Sequence, residues 1–325
     1  ICMKILIACD MEGISGVTCW DHVDPSHAEY QRFRFIMTQD VNAAIEGACT
    51  AGADEIVVAD GHWNSGNILI EELDERARLN AGSPSPFSMV QGVDSAVDAA
   101  IFIGYHARAG TQNAILDHTW SSTRVINLWL NGRLVGEFGL NAAVCGHFNV
   151  PVLMVSGDQS VAAEAREWVA GVQTAVVKTA SGRWAAECLP LEASEDLIEE
   201  TAEKAVHEFI KGRGPQPLKV KTPVEFIVEL AASQMADNAA LLPGVERLDG
   251  RRLAAAPAPA LRTEGQAHGL VLRCARQRQR AFAEVLCQWR EVHFGFVAEW
   301  IECADCLALM TQLFNAGHLE FPGGD

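Results

Sequence analysis

"ILIACDMEGISG", residues 5–16, decides how the rest of the chain is read. Ile5, Leu6 and Ile7 form an apolar run without alternation, the pattern of a strand covered on both faces in a mostly parallel sheet. Asp10 and Glu12 follow on alternate residues where such a strand would leave the core, and residues two apart in an extended chain share a face. Ligands of open α/β sheets gather beyond the carboxyl ends of the strands. "EIVVAD" (55–60) runs out through Gly61 into His62, and "AAIFIGY" (99–105) runs out into His106. Two carboxylates and two imidazoles therefore face one rim, a donor set suited to zinc and similar divalent ions.

Each residue also has an ordinary explanation. A single acid after a strand is usually a solvated loop residue, and a single histidine there is usually one satisfied by packing. Asp60 is either a partner that orients His62 or the start of an Asx-turn. Cys9 alternates away from Asp10 and reads as core. Asp158, after "PVLMVSG", reads as a helix cap. The coincidence of four ligand-type side chains at three strand ends is what favours a metal centre. Spacing alone carries the argument no further.

Outward from this rim, strands are predicted at 4–9, 55–60, 99–105 and 151–156, with helices over about 27–50 and 159–170. "TRVINLWLNGRLVGEF" (123–138) reads as a hairpin around Asn131-Gly132, the residue pair of a type I′ turn. A helix near 192–211, a strand over "KVKTPVEFIVEL" (219–230) and a helix at "SQMADNAALLP" follow. The expected fold is α/β, a mostly parallel open sheet with a hairpin excursion, plus a smaller α+β C-terminal domain. The expected division is 1–188 for the metal-binding domain, 189–253 for the smaller one, and an Ala/Pro/Arg-rich tail over 254–325.

Composition narrows the function. Of 325 residues 49% are hydrophobic and 21% charged, an ordinary globular balance, and the formal charge is −17. So large a negative charge disfavours nucleic acid and anionic membrane as partners. Residues 251–325 differ in texture, with eight Arg, no Lys and eight acids. No run approaches the roughly 18 apolar residues of a membrane span, and the start meets an acid too early for a secretory signal. Met3 reads as the initiator, and a cytoplasmic protein with reduced cysteines is expected. Cys303 and Cys306 form a lone C-x-x-C without the second pair that a structural zinc site needs; Cys274 and Cys287 lack that spacing.

"CDMEGISGV", "DGHWNSGN", "GYHARAGT", "LDHTWSS", "NGRLVGEFGLNA" and "VPVLMVSGD", in this order, resemble the DppA-type D-aminopeptidases of peptidase family M55. The resemblance runs from about residue 3 to about 250, through "PFSMVQG", "AVVKTASGR" and "LLPGVE", and leaves the tail unmatched. It implies a dinuclear centre of two Zn²⁺ per subunit, held by Asp10, Glu12, His62, His106 and Glu137. Asp10 would bridge, with Glu12 and His106 on one ion, His62 and Glu137 on the other, and His118 as the catalytic histidine. Read without the resemblance, Glu137 is a first-turn helix acid favoured by the dipole, and His118 a surface or packing histidine. Two Zn²⁺, three carboxylates and one bridging hydroxide would sum to zero, avoiding the cost of a buried net charge.

The resemblance implies a zinc-dependent D-aminopeptidase acting on dipeptides and short peptides with N-terminal D-amino acids of the D-Ala type. It also implies a homo-oligomeric ring, a decamer by that likeness. Alternatives are another metallohydrolase on the same scaffold, such as an amidase or L-selective peptidase, or a non-enzymatic peptide-binding protein. The tail beyond about 265 is expected to add no ligand and no catalytic group.

Overall fold

A computed structural model describes residues 2–241 and 244–255. The tail from 256 onward, with Cys274, Cys287, Cys303 and Cys306, lies outside the described residues.

Strand β1 (Lys4–Cys9) is followed by helix α1 (Tyr30–Thr50), β2 (Glu55–Asp60), β3 (Ala77–Asn80) and β4 (Ala99–Ile103). The hairpin strands β5 (Val125–Leu130) and β6 (Arg133–Leu134) come next, then α2 (Glu137–His147), β7 (Val152–Asp158) and α3 (Gln159–Trp168). Strands β8 (Gln173–Gly182) and β9 (Ala185–Cys188), α4 (Leu191–Ile210), β10 (Phe226–Leu230), α5 (Ser233–Ala239), β11 (Val245–Arg247) and β12 (Arg252–Ala255) complete the described chain. A seven-stranded sheet in the order β3-β2-β1-β4-β7-β8-β9 is parallel except for β9. A second, antiparallel sheet has the order β11-β12-β10-β5-β6. The architecture is thus mixed α/β with a mostly parallel main sheet, as expected.

The alternation within β1 divides the core. Ile5, Ile7 and Cys9 face a layer built with Phe33, Met37 and Ile45 of α1 and Ile198 of α4. Leu6 and Ala8 face the opposite layer with Phe102, Phe138 of α2, and Leu128, Phe226 and Leu253 of the second sheet. Each fully buried aliphatic or aromatic side chain contributes about 1.5–3 kcal/mol relative to exposure, and these layers clamp β1 and β4 at the centre of the sheet. Packing crosses the boundary expected at 188/189 in two places. Helix α4 lies along α1 and against β7 and β8, while β5, on the early side, pairs with β10. Asn131 and Gly132 both have positive φ, 50° and 76°, so the hairpin turns as its sequence demands. Among the described residues no helix is long and apolar enough to cross a membrane.

The strand order reverses direction at β1, since β2 and β3 lie on one side of it and β4, β7 and β8 on the other. That reversal opens a crevice beyond the carboxyl ends of β1 and β4. The next strand end supplies scaffold: Asp158 caps α3, its Oδ1 accepting from the N–H groups of Ser160 and Val161, each at 2.9 Å. Its Oδ2 accepts from Ile115 N at 2.8 Å and ties down the approach to residue 118. Asp158→Ala removes a cap and leaves a buried N–H unpaired, so it is expected to cost about 2–4 kcal/mol in urea unfolding. A loss under 1 kcal/mol would contradict this account.

Candidate metal centre

The loop after β1 makes the site possible. Asp10 N donates to Ile103 O (2.8 Å) and Gly13 N to Gly104 O (2.7 Å), which lays residues 10–13 against the exit of β4. A Cβ on Gly13 would sit 2.0 Å from Tyr105 O, so only glycine allows this approach. Met11 turns into the core, and Asp10 and Glu12, each 2% exposed, turn the other way toward His106. His62 arrives from β2 on a loop stapled by Asp60, whose carboxylate accepts from Asn67 N, Asn67 Nδ2 and Ile68 N. Asp60 thus holds the loop through residues seven and eight further on, and makes neither the Asx-turn nor the contact with the His62 imidazole that were expected. Cys9 is in the core. Glu137 opens α2, and its Oε1 accepts from Trp120 N (2.6 Å), which binds the start of that helix to the segment carrying His118.

All six expected residues meet. His62 Nδ1 lies 3.2 Å from both Asp10 Oδ1 and Glu12 Oε2. His106 Nε2 lies 3.4 Å from Asp10 Oδ2 and from Glu137 Oε1. His118 Nε2 lies 3.8 Å from Glu12 Oε1 and 3.9 Å from Glu137 Oε1, and its ring stacks on His106 at 4.0 Å. Asp10, Glu12 and His106 form one group of mutually close donor atoms, the set expected on one ion; His106, His118 and Glu137 form a second. His62 is turned toward Asp10 and Glu12 and makes no ion pair with Glu137, with which it was expected to share the other ion; Glu137 lies instead with His106 and His118.

The far nitrogen of each histidine settles its chemistry. His62 Nε2 meets Val23 O at 2.9 Å, His106 Nδ1 meets Ala107 O at 3.0 Å, and His118 Nδ1 meets Leu116 O at 2.7 Å. A carbonyl only accepts, so each of those ring nitrogens carries the proton. In the neutral rings the other nitrogen is a lone pair aimed at the carboxylates. Three lone pairs and three carboxylates are thus gathered in a buried space, and Asp10 Oδ2, Glu12 Oε2 and His106 Nε2 have no hydrogen-bond partner there. Such an arrangement repels itself unless protons or metal cations occupy it. The residues fit a metal centre.

Without metal, protons take that role. Burial opposes charge on His62, but Glu12 and Asp10 outweigh it and raise its pKa well above the ordinary histidine value. Burial likewise opposes charge on His106, which Glu137 and Asp10 raise well above that value. Burial pushes Asp10 up, yet its contacts with His106 and His62 carry it below the usual carboxylate range. His118 moves the other way: burial and the charge on His106 lower it.

The carbonyls of Val23, Ala107 and Leu116 escaped the sequence reading, because every residue has one. Glu164 did too. It is a buried acid of α3 whose Oε2 accepts from Arg108 N (2.8 Å), next to the turn that carries His106.

The profile of the M55 peptidases, described as D-aminopeptidase, matches residues 3–261. The D-aminopeptidase of Bacillus subtilis (strain 168) is 40% identical over 248 residues, which is 75% of this chain and 87% of that protein. The structure of the Zn-dependent D-aminopeptidase DppA from Bacillus subtilis, a self-compartmentalizing protease, superposes with a TM-score of 0.74 at 38% identity. That likeness covers 78% of this chain and 90% of DppA. With most of its length matched in sequence, and its strand-end carboxylates and histidines gathered into one buried cluster, the chain belongs to the M55 family of D-aminopeptidases.

Proposed function

We propose that the chain is a zinc-dependent D-aminopeptidase that hydrolyses N-terminal D-amino acids of the D-Ala type from dipeptides and short peptides. The observation that carries this reading is the set of three carbonyl-pinned imidazoles facing three buried carboxylates. Asp10, Glu12, His62, His106 and Glu137 would hold the zinc, two ions per subunit on this reading, with Asp10 as the ligand the two would share. When bound, zinc would lower the pKa of a coordinated water to about 7 and polarise the scissile carbonyl. Val23, Ala107 and Leu116 fix the imidazole tautomers and orientations through their carbonyls. His118 moves a proton between the attacking water and the leaving amine at its Nε2. Support for an oligomer, and for a ring in particular, comes from DppA being a self-compartmentalizing protease. The six cysteines of the described residues are free, which suits a reducing compartment such as the cytoplasm.

Two measurements test the reading together: zinc content by mass spectrometry, and hydrolysis of D-Ala and L-Ala amides side by side. Bound zinc with turnover of the D-amide alone is expected. Faster turnover of the L-amide would replace it with an L-selective peptidase, and peptide binding without turnover would replace it with a binding protein.

Proton competition gives a further expected result. Zinc must displace the protons that His62 and His106 hold in the metal-free protein, and both hold them above the ordinary value of about 6.5. Protonation of these groups therefore stabilises the metal-free fold below that value, and the contribution fades as pH rises through the raised pKa values. Zinc affinity should run the opposite way, rising by up to about tenfold per pH unit for each proton released. Chelator competition between pH 6 and 8 checks this; a flat profile would contradict it.

A further inference from the structure

Lys178 is 1% exposed in β8, which β4 and β7 separate from β1 in the sheet. Its side chain reaches over the intervening strand ends into the loop that carries Asp10 and Glu12. There Nζ donates to Glu12 O (2.7 Å), Ile14 O (2.8 Å) and Val17 O (2.8 Å). An ammonium has three protons, and all three are used. Carboxylates act on it only from further away, those of Asp158, Asp40 and Glu12 among them. The cation's hydrogen bonds go wholly to the backbone of this one loop.

We propose that Lys178 is the positioning residue of the metal centre, setting the backbone of residues 12–17 so that the Glu12 carboxylate faces its fellow ligands. The assignment rests on the metal reading given above. The loop has no helix or strand to fix it, and of the three residues whose carbonyls Lys178 grips, Glu12 is the one in the metal cluster. The loop's far side is held by Asp40 of α1, which accepts from Ser15 N (2.9 Å) and Ser15 Oγ (3.0 Å). Three carbonyl oxygens turned toward one buried point need a compact donor of three protons. A glutamine or asparagine amide offers two and a methionine none, while a guanidinium is too broad for the place. The isosteric loss of the ammonium therefore frees three carbonyls and with them the orientation of Glu12.

The test is zinc affinity, measured by competition with a chromophoric chelator on full-length Lys178→Met and Lys178→Gln. Partners that orient metal ligands are typically worth about 10–100-fold in metal affinity. Lys178→Met should show a loss in that range, and Lys178→Gln, with two donors left, a smaller one. Excess zinc should bring kcat back toward the parent value with KM unchanged, since Lys178 touches no substrate. A folded Lys178→Met with parental zinc affinity overturns the assignment, whatever its melting temperature. Failure of both variants to fold in the presence of zinc also overturns it, since Lys178 would then serve the fold and not the site. Absence of zinc binding by the unaltered protein would instead remove the metal reading beneath it.

Discussion

Asp10→Ala is expected to lose both zinc ions and to drop kcat/KM by about 10⁴-fold or more. Asp10 is the only carboxylate of the cluster in contact with both strand-end histidines, through Oδ1 to His62 (3.2 Å) and Oδ2 to His106 (3.4 Å). Its remaining anchor is Met11 N, which donates to Oδ1 at 2.9 Å. Removing it takes away the one carboxylate that touches both of these imidazoles and the group proposed to be shared between the two ions. The expected effect is large because nucleophile generation and carbonyl polarisation fail together, each alone worth several kcal/mol. Glu12→Ala is the contrast: it leaves Asp10, His62, His106 and Glu137 in place and should keep at least one ion. Zinc per chain by mass spectrometry on the two variants separates them. Full zinc occupancy in Asp10→Ala would overturn the shared-ligand assignment, and loss of all zinc from both would show one indivisible site.

How much of this was legible in the sequence follows from where the information sits. Strands β1 and β2 were readable to the residue, since a strand buried on both faces carries its own signal in an unbroken apolar run. β4 ends at Ile103, two residues before the apolar run suggests, because Gly104 takes a positive φ of 73° and turns the chain toward the site. β3 ("ARLN") and β9 ("AAEC") were not readable. Both are four-residue edge strands, partly exposed, with no continuous apolar run to announce them. The place of α4 could not be read either. Its amphipathic pattern says that one face is buried, but not that the burial is against α1 rather than a later strand. In the site, Asp10, Glu12, His62 and His106 stood at strand ends where topology gives position a meaning. Glu137 and His118 leave no such mark, because the first follows a hairpin and the second sits in an irregular segment. Only family likeness pointed to them. Lys178 did leave a trace: a lysine directly after the apolar run Ala175-Val176-Val177 is a local conflict, and such conflicts gather at functional sites.

His118→Ala should keep its zinc and lose about 10²–10⁴ in kcat, the usual size of a general acid–base contribution. The argument starts from the tautomer. Leu116 O accepts from Nδ1 at 2.7 Å, so the Nε2 lone pair is the reactive position, and it faces Glu12 and Glu137 across the cluster. Burial and the neighbouring His106 lower its pKa below the ordinary histidine value, so near neutral pH the ring is neutral and able to take a proton. Trp20 packs edge-on against it at 5.3 Å and His106 stacks on its other side, which leaves little freedom to swing away. A base held this way must be unprotonated to act. Activity should rise with pH through its pKa, and that limb of the kcat profile should vanish in His118→Ala. KM should change less than kcat, because the lost interaction belongs to the transition state. The rival role is written in the same geometry, since His118 groups with His106 and Glu137 closely enough to share an ion. Zinc stoichiometry and kcat measured on one sample of His118→Ala decide between the two. Slow turnover with full zinc makes His118 the proton carrier; a missing ion makes it a ligand; near-parental turnover removes it from the chemistry.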